Sequence, residues 1–346
     1  MFRTIEWLDD KNEVRLVDQL KLPLVKAHII TGSHERMAHA IKVMEIRGAP
    51  AIGAAAGMGM ALAAIESKAT NKEELIKFLE KAAVTLNTRP TAVNLTWATA
   101  RMLGVAKAAE GDADSIVQIL IDEAKEIAEE DVRMCRSMGE NALQFIKPGF
   151  TIQTICNAGS LATVHLGTIG AVVRVAHEKY NGDIKVYAAE TRPRLQGARL
   201  TTFEFMEDNI DTTLITDGMI GTVFREGRVD CCVVGSDRIL GKTGHVTNKI
   251  GTLTMAITAK YFGIPFYVAA PMSTIDWETD HEDVEIEERD PNEIRMINGE
   301  YVCPPDAKVY NPAFDTTPPE LITAIITDKG VVEAPTEEKM RRLLEK

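Results

Sequence analysis

Thr154–Thr163, TICNAGSLAT, closes a short apolar run that begins at Phe150 and opens into a turn of small residues, which displays Cys156 at a strand tip. Val229–Ile239, VDCCVVGSDRI, repeats the layout: an apolar run ends abruptly in a carboxylate, Asp237, with Arg238 beside it. Further apolar runs lie at 183–190 (DIKVYAAE), 212–216 (TTLIT), 264–270 (IPFYVAA) and 322–328 (ITAIITD), alternating with stretches of helical periodicity. That alternation is the pattern of a parallel, doubly wound sheet. The carboxyl ends of such strands face one crevice, so a thiol and a carboxylate at two strand ends can meet over a single small ligand.

Upstream of Phe150 the pattern differs. Thr4–Trp7 and Val14–Asp18 alternate weakly across the turn residues Asp9–Asn12, which predicts a small antiparallel hairpin. From Ser33 to about Gln144 the apolar positions recur at helical spacing, broken at 48–50, 68–71, 88–90 and 111–112. The last block, from Ser115 to Ile146, lacks internal proline and stops at Lys147-Pro148-Gly149, as a long helix joining two domains would. The fold class is α/β: a mainly helical amino-terminal domain with a small sheet (1–146), then a Rossmann-like domain (147–346). The region 274–293 is acidic and reads as a covering loop.

The chain has 346 residues, enough for about two domains with ordinary cores. Its 39 basic and 51 acidic residues give a net charge of −12, which opposes diffuse binding to nucleic acid or anionic membranes. Any phosphate site must be local. Five irregularly placed cysteines fit neither a disulfide framework nor a zinc ribbon, so reduced thiols in a cytoplasm are expected. The amino terminus lacks the build of an export signal, and no stretch approaches eighteen uninterrupted apolar residues.

Each chemical candidate has a plainer alternative. Cys156 precedes a turn whose following helix, from about Gly159, would offer free amides to an anion and lower the thiol pKa. Cysteine is also simply a small buried residue, as Cys135, Cys231 and Cys232 are read. Asp237, reached along an apolar strand, is expected to be partly desolvated and so suited to general-acid duty; a helix N-cap or an ion pair with Arg238 is the alternative. Arg47-Gly48-Ala49 at the head of a small-residue helix, Arg89-Pro90-Thr91, and Asn248-Lys249 at a helix start can each hold a phosphate. Each can equally be packing or a solvated charge. Gly241-Lys242-Thr243 is not a P-loop, because the glycine spacing is wrong and the intervening residues are bulky or charged. No GxGxxG follows any strand, and neither His165 nor His245 has partners at ligand spacing, so no dinucleotide or metal site is expected.

Taken together, RGAPAIGAAAG (47–57), NTRPTAVNLTWA (87–98), CNAGSLAT (156–163), AAETRPRLQGARLTTFE (188–204), VGSDRI (234–239), NKIGT (248–252), IEERDP (286–291) and YNPAFDTTPPELITAIITDKG (310–330) resemble the methylthioribose-1-phosphate isomerase family in order and spacing. RTIEW (3–7) and DQLKLP (18–23) extend the resemblance to nearly the whole chain. It implies conversion of 5-methylthioribose 1-phosphate to its ketose in methionine salvage, by a cytoplasmic homodimer that needs no metal or organic cofactor. It implies Cys156 and Asp237 as the catalytic pair, and Arg47, Gly48, Ala49, Arg89, Gln196, Asn248 and Lys249 as substrate contacts. Two departures stand out: His165-Leu166 replaces a common Gly-Tyr pair, and the 238–249 loop is one residue longer than usual. Isomerases of ribose 1,5-bisphosphate or 5-deoxyribose 1-phosphate are the enzymatic alternatives, although the CNSKA of the bisphosphate isomerase is missing. Regulatory subunits of a translation-initiation exchange factor, which share the fold without catalysis, are the non-enzymatic one.

Overall fold

In the computed structural model of the chain, residues 2–88 and 93–344 are described. Contacts divide them into two units: Met1–Met134 with Gly159–Gly167, and Cys135–Ala158 with Thr168–Lys346. This differs from a division at 146–147. The helix that carries the chain from one unit to the other is continuous over Ala113–Ala142, and the segment after Cys156 belongs with the first unit. The Thr4 amide donates to the carbonyl of Val164 (2.8 Å), and the Val164 amide to the carboxylate of Asp131 (2.8 Å).

The first unit begins with β1 (Ile5–Leu8), β2 (Glu13–Val17) and β3 (His28–Thr31), an antiparallel sheet in that order. Ile5 faces Leu16 and Trp7 faces Val14, and all four are buried, so the alternation read in the sequence puts one face of the hairpin on the core. The third strand was not read. Helices α1 (His34–Val43), α2 (Ala49–Glu66), α3 (Lys72–Leu86), α4 (Val93–Ala108) and α5 (Ala113–Ala142) follow. Ser33 and Asn71 cap α1 and α3 through their side chains, so the expected start of the helical region and the expected break at 68–71 fall at residues that satisfy free helix amides. The break at 88–90 reaches into residues outside those described. Against the expectation that no stretch approaches eighteen uninterrupted apolar residues, helix α2 is long and apolar enough to cross a membrane by length and composition, but 78% of that stretch is buried inside the fold. Met58, Met60 and Leu62 lie in it at 2% exposure or less, each contributing about 1.5–3 kcal/mol.

The second unit carries the sheet that positions the chemistry. Its elements in chain order are β4 (Thr151–Thr154), α6 (Thr168–Lys179), β5 (Lys185–Ala189), α7 (Thr202–Glu207), β6 (Asp211–Ile215), α8 (Ile220–Arg225) and β7 (Cys231–Val234). Then come β8 (Arg238–Leu240), β9 (Val246–Lys249), α9 (Thr252–Phe262), β10 (Phe266–Ala269), β11 (Ile275–Asp276), α10 (Asn292–Arg295), β12 (Met296–Ile297) and β13 (Glu300–Tyr301). Strands β14 (Phe314–Thr317), β15 (Ala324–Thr327) and β16 (Gly330–Glu333) and helix α11 (Glu337–Arg341) complete it. The seven-stranded sheet runs β16-β15-β10-β7-β4-β5-β6, parallel throughout except for the antiparallel edge strand β16. All six apolar runs read from the sequence are its parallel strands; β4, β7, β10 and β15 are buried throughout, as strands covered on both faces are, while the edge strand β6 is largely exposed. A second sheet, β11-β8-β9-β14, stands where the sequence reads as the 238–249 loop.

After β5 the chain turns through Arg192–Pro193, a cis peptide, into a π-helical turn at Gly197–Thr201 that leads into α7. Here Gly197 lies against the end of β5, where an added Cβ would stand 1.7 Å from the Ala189 carbonyl oxygen. We expect Gly197→Ala to lower the unfolding free energy by about 3 kcal/mol, the upper part of the usual overpacking cost. Gly218→Ala, where nothing lies within 4 Å, should stay within about 0.5 kcal/mol of wild type in the same denaturation experiment.

Candidate active site

From β4 the chain builds outward to β5 and β6 on one side, then returns to place β7 against β4 on the other. The strand order therefore reverses between β4 and β7, and their carboxyl ends open the crevice where doubly wound sheets bind ligands. Cys156 follows the end of β4 and Asp237 follows the end of β7. The register of the two strands, Ile152 beside Cys231 and Gln153 beside Cys232, keeps both tips at one edge. Cys231 and Cys232 are buried in β7 and burial pushes their thiols up, so they pack rather than react.

Cys156 is half-buried and its backbone is left-handed, with φ +66°. Both of its backbone polar groups are held by threonines from the turn after β5. Its amide donates to Thr191 Oγ1 (2.8 Å), and Thr201 Oγ1 donates to its carbonyl (2.7 Å). Thr191 is anchored in turn, because its amide and that of Arg192 donate to the two carboxylate oxygens of Asp217 (2.8 and 2.7 Å). Behind the turn, Asn157 Nδ2 donates to Glu204, a carboxylate with no exposure, and lies 3.2 Å from Thr201 Oγ1. Arg174, also buried, bridges Glu204 (2.9 Å) and Asp208 (2.7 Å). Asn157, Thr191, Thr201 and Glu204 lie in stretches that carry the family resemblance, but no local pattern marked their supporting roles, since these residues converge only when three strands lie side by side.

One expectation for Cys156 is corrected. After Ala158 there is only a three-residue turn at Ser160–Ala162, and helix α6 starts at Thr168. No helix amino end stands behind the thiol at Gly159; the small residues instead allow the chain to pass into the first unit.

Asp237 sits at the entry to the β8–β9 hairpin, its amide donating to the Thr247 carbonyl (3.0 Å). Its side chain is exposed, not partly desolvated, because the residue lies beyond the Gly235-Ser236 turn and has left the sheet. It is not a helix N-cap, and Arg238 pairs with Asp276 (3.3 Å). Gly241-Lys242-Thr243 forms the tip of this hairpin, with the Gly244 amide donating to the Leu240 carbonyl (2.7 Å), which confirms that it is no P-loop.

Asn248 and Lys249 end β9. Asn248 Nδ2 donates to Thr252 Oγ1 (3.0 Å), and Lys249 Nζ donates to the Ala313 carbonyl (2.8 Å) while lying 4.1 Å from the centre of the Phe314 ring. The following helix start is not open to a phosphate. Asp315, opposite Asn248 on β14, accepts from the amides of Gly251 (2.7 Å) and Leu253 (3.1 Å). Lys249 and Gln196 line one small cavity together with Arg194, Arg289, Glu293 and Asn311. Gln196 Oε1 is buried there without a hydrogen-bond partner among the described residues, an acceptor a ligand hydroxyl can satisfy.

In the first unit, Gly48 is the N-cap of α2 at φ +92°, a conformation that leaves room for the Ala162 backbone: a Cβ would lie 2.3 Å from its oxygen. Among the described residues no side chain caps this helix, which starts immediately after Arg47 and Gly48. Arg89 lies outside the described residues. His165 Nδ1 lies 3.1 Å from the Phe2 carbonyl, and His245 stacks on His281. No cluster of three or more His, Cys, Asp or Glu side chains suited to a metal occurs among the described residues.

Residues 45–334 match the model of the initiation factor 2 subunit family. The chain belongs to that family. A methylthioribose-1-phosphate isomerase from Geotalea uraniireducens (strain Rf4) is 49% identical over 346 residues, covering 99% of each chain. The crystal structure of 5-methylthioribose 1-phosphate isomerase from Pyrococcus horikoshii OT3 is 46% identical with a TM-score of 0.95, covering 100% of this chain and 96% of that one. A structure described as translation initiation factor eIF-2B, subunit delta, from A. fulgidus is 45% identical with a TM-score of 0.94 and covers both chains fully. Within the family, near-equal likeness thus attaches to two kinds of name.

Asp315 offers a test of the Asn248–Lys249 turn. Burial pushes its carboxyl up to about 6, against the lowering effect of the two amide bonds and Lys249. A raised folded-state pKa stabilises the fold below the unfolded value near 4, and that stabilisation is lost as pH rises through about 6. We expect Asp315→Asn to abolish this dependence. Between pH 4 and 7 its unfolding free energy should rise relative to wild type by at most about 3 kcal/mol, read by denaturation at both pH values.

Proposed function

We propose that this chain is an aldose–ketose isomerase that converts 5-methylthioribose 1-phosphate to 5-methylthioribulose 1-phosphate, with Cys156 and Asp237 as its catalytic pair. The observation that carries the reading is the placement of these two reactive side chains at adjacent strand ends across the reversal of strand order. The Geotalea and Pyrococcus relatives, named for this reaction at 49% and 46% identity, support it.

A sugar 1-phosphate is a glycosyl phosphate, so its ring does not open by ordinary mutarotation while the ester is attached. The acid, Asp237, protonates the ring oxygen as the C1–O bond breaks, leaving positive charge at C1 shared with the ester oxygen. The Cys156 thiolate then removes the acidified C2 proton to give an enol phosphate. Return of that proton to C1, with loss of the C2 hydroxyl proton to Asp237, yields the ketose and restores both groups. No electrons leave the substrate, so no redox partner is required. The exposed Asp237 needs desolvation before it acts, and a sugar phosphate lying over the strand tips supplies it. Lys249 and Gln196, which line one cavity, hold the substrate together with Asn248. Arg47, Gly48, Ala49 and Arg89 take the phosphate, with the free amides at the start of α2 beside Arg47. The five free thiols suit a reducing cytoplasm, and the resemblance to the isomerase family supports a homodimer.

A second reading rests on the A. fulgidus structure and its exchange-factor name. It gives no role to a half-buried thiol and a carboxylate at adjacent strand tips, which favours the enzyme. Turnover of 5-methylthioribose 1-phosphate by metal-free protein, beside 5-deoxyribose 1-phosphate and ribose 1,5-bisphosphate, separates the readings. We expect the methylthio sugar to be preferred; no turnover of any of the three would favour the regulatory role. Cys156→Ser and Asp237→Asn should each lower kcat by at least about 1,000-fold while the fold, followed by circular dichroism, is kept. Near-normal rates in either variant would remove that residue from the mechanism. Deuterium from solvent appearing at C1 of the ketose distinguishes proton transfer from a direct hydride shift between C2 and C1.

A further inference from the structure

We propose that Thr191 and Thr201 are positioning residues for Cys156, acting as a two-sided hydroxyl clamp that holds the thiol-bearing residue in its left-handed conformation; this rests on the reading of Cys156 as the catalytic base. A non-glycine residue at φ +66° is strained and persists only where its surroundings over-determine it. Here they do so on both sides of one residue. The Thr191 hydroxyl accepts the Cys156 amide, and the Thr201 hydroxyl donates to the Cys156 carbonyl. Thr191 is fully buried and its hydroxyl also donates to Ala189 (3.0 Å), so its lone pairs are directed toward the cysteine amide. Thr201, at 1% exposure, also meets Asn157, whose amide is fixed by the buried Glu204–Arg174 pair.

The clamp ties the tips of three parallel strands. Asp217, beyond β6, holds the amides of Thr191 and Arg192 beyond β5, and Thr191 holds Cys156 beyond β4. The backbone torsion at Cys156 sets the direction of its Cα–Cβ bond. Release of either hydroxyl lets the residue relax toward an ordinary conformation and swings that bond. A base displaced by about 1 Å loses on the order of 100-fold in rate without a matching loss of substrate affinity.

The test compares Thr191→Val and Thr201→Val with Thr191→Ser, Cys156→Ser and wild type, using the full-length chain and 5-methylthioribose 1-phosphate. Each valine variant should lower kcat by about tenfold or more with KM within about threefold, and Thr191→Ser should restore kcat to within about threefold of wild type. Iodoacetamide labelling, followed by peptide mass spectrometry, should change in rate at Cys156 and not at Cys303. Valine variants that retain more than one-tenth of wild-type kcat, beside an inactive Cys156→Ser, overturn the clamp while leaving the base assignment intact. Full activity of Cys156→Ser overturns the base assignment instead, and the clamp with it. If Thr191→Val does not fold, Thr201→Val tests the other side, and a loss of kcat in Thr191→Ser equal to that expected for valine overturns the hydroxyl's role.

Discussion

The reversal of strand order between β4 and β7 constrains everything that the second unit does. Helical crossovers after parallel strands lie on one face or the other, and only where the winding changes sides do two neighbouring strand tips lie uncovered. At that one place the chain sets a thiol after β4 and a carboxylate after β7. Moving the thiol outward to β5, or the carboxylate outward to β10, would add one further strand spacing of about 4.8 Å between them. The β8–β9 hairpin depends on the same gap. It leaves from the tip of β7 after Asp237 and ends at Asn248 and Lys249, so one excursion carries all three residues.

Holding these groups still requires polar structure where a doubly wound fold would otherwise be apolar. Glu204 and Arg174 are almost wholly buried, and a buried charge left without its partner costs about 3–5 kcal/mol. Such a network is not an economical source of stability, since an apolar core of the same shape often serves as well. Its value lies in geometry: guanidinium and carboxylate fix Asn157, and Asn157 sits next to the strained cysteine. Asp315 follows the same logic at the other edge of the site. Its carboxylate occupies the amides at the start of α9, so the turn after Lys249 is fixed by the protein and Lys249 itself is held by Ala313 and Phe314.

The legible parts of the fold were those written in local periodicity. Runs such as VDCCVVG and ITAIITD hold strands buried along their length and are therefore almost wholly apolar, and the helical start at Ser33 and the break at Asn71 carry the hydroxyl or amide that a free helix end requires. Strands β8, β9 and β14 escaped because they are short and polar, with Arg238, Thr247, Asn248, Lys249 and Asp315 at ladder positions. Gly159 misled for a different reason: small residues that resemble the entry to a helix here serve the passage of a connecting segment between units. Cys156 and Asp237 were legible as strand-end residues, yet Thr191, Thr201 and Asp217 were not. Their roles depend on which strands are neighbours, and neighbourhood is a property of topology that no window of sequence contains.

Near-equal likeness to proteins named as an isomerase and as an exchange-factor subunit means that overall similarity does not decide between catalysis and scaffolding. Local strain does bear on the choice. A scaffold needs its surfaces and its core, and neither benefits from a cysteine forced to φ +66° at a strand tip with both backbone groups clamped. A thiol held in a fixed direction is what an enzyme using it as a base would need. Exposure of Asp237 at the strand tip is likewise what a group that must touch a ligand would require.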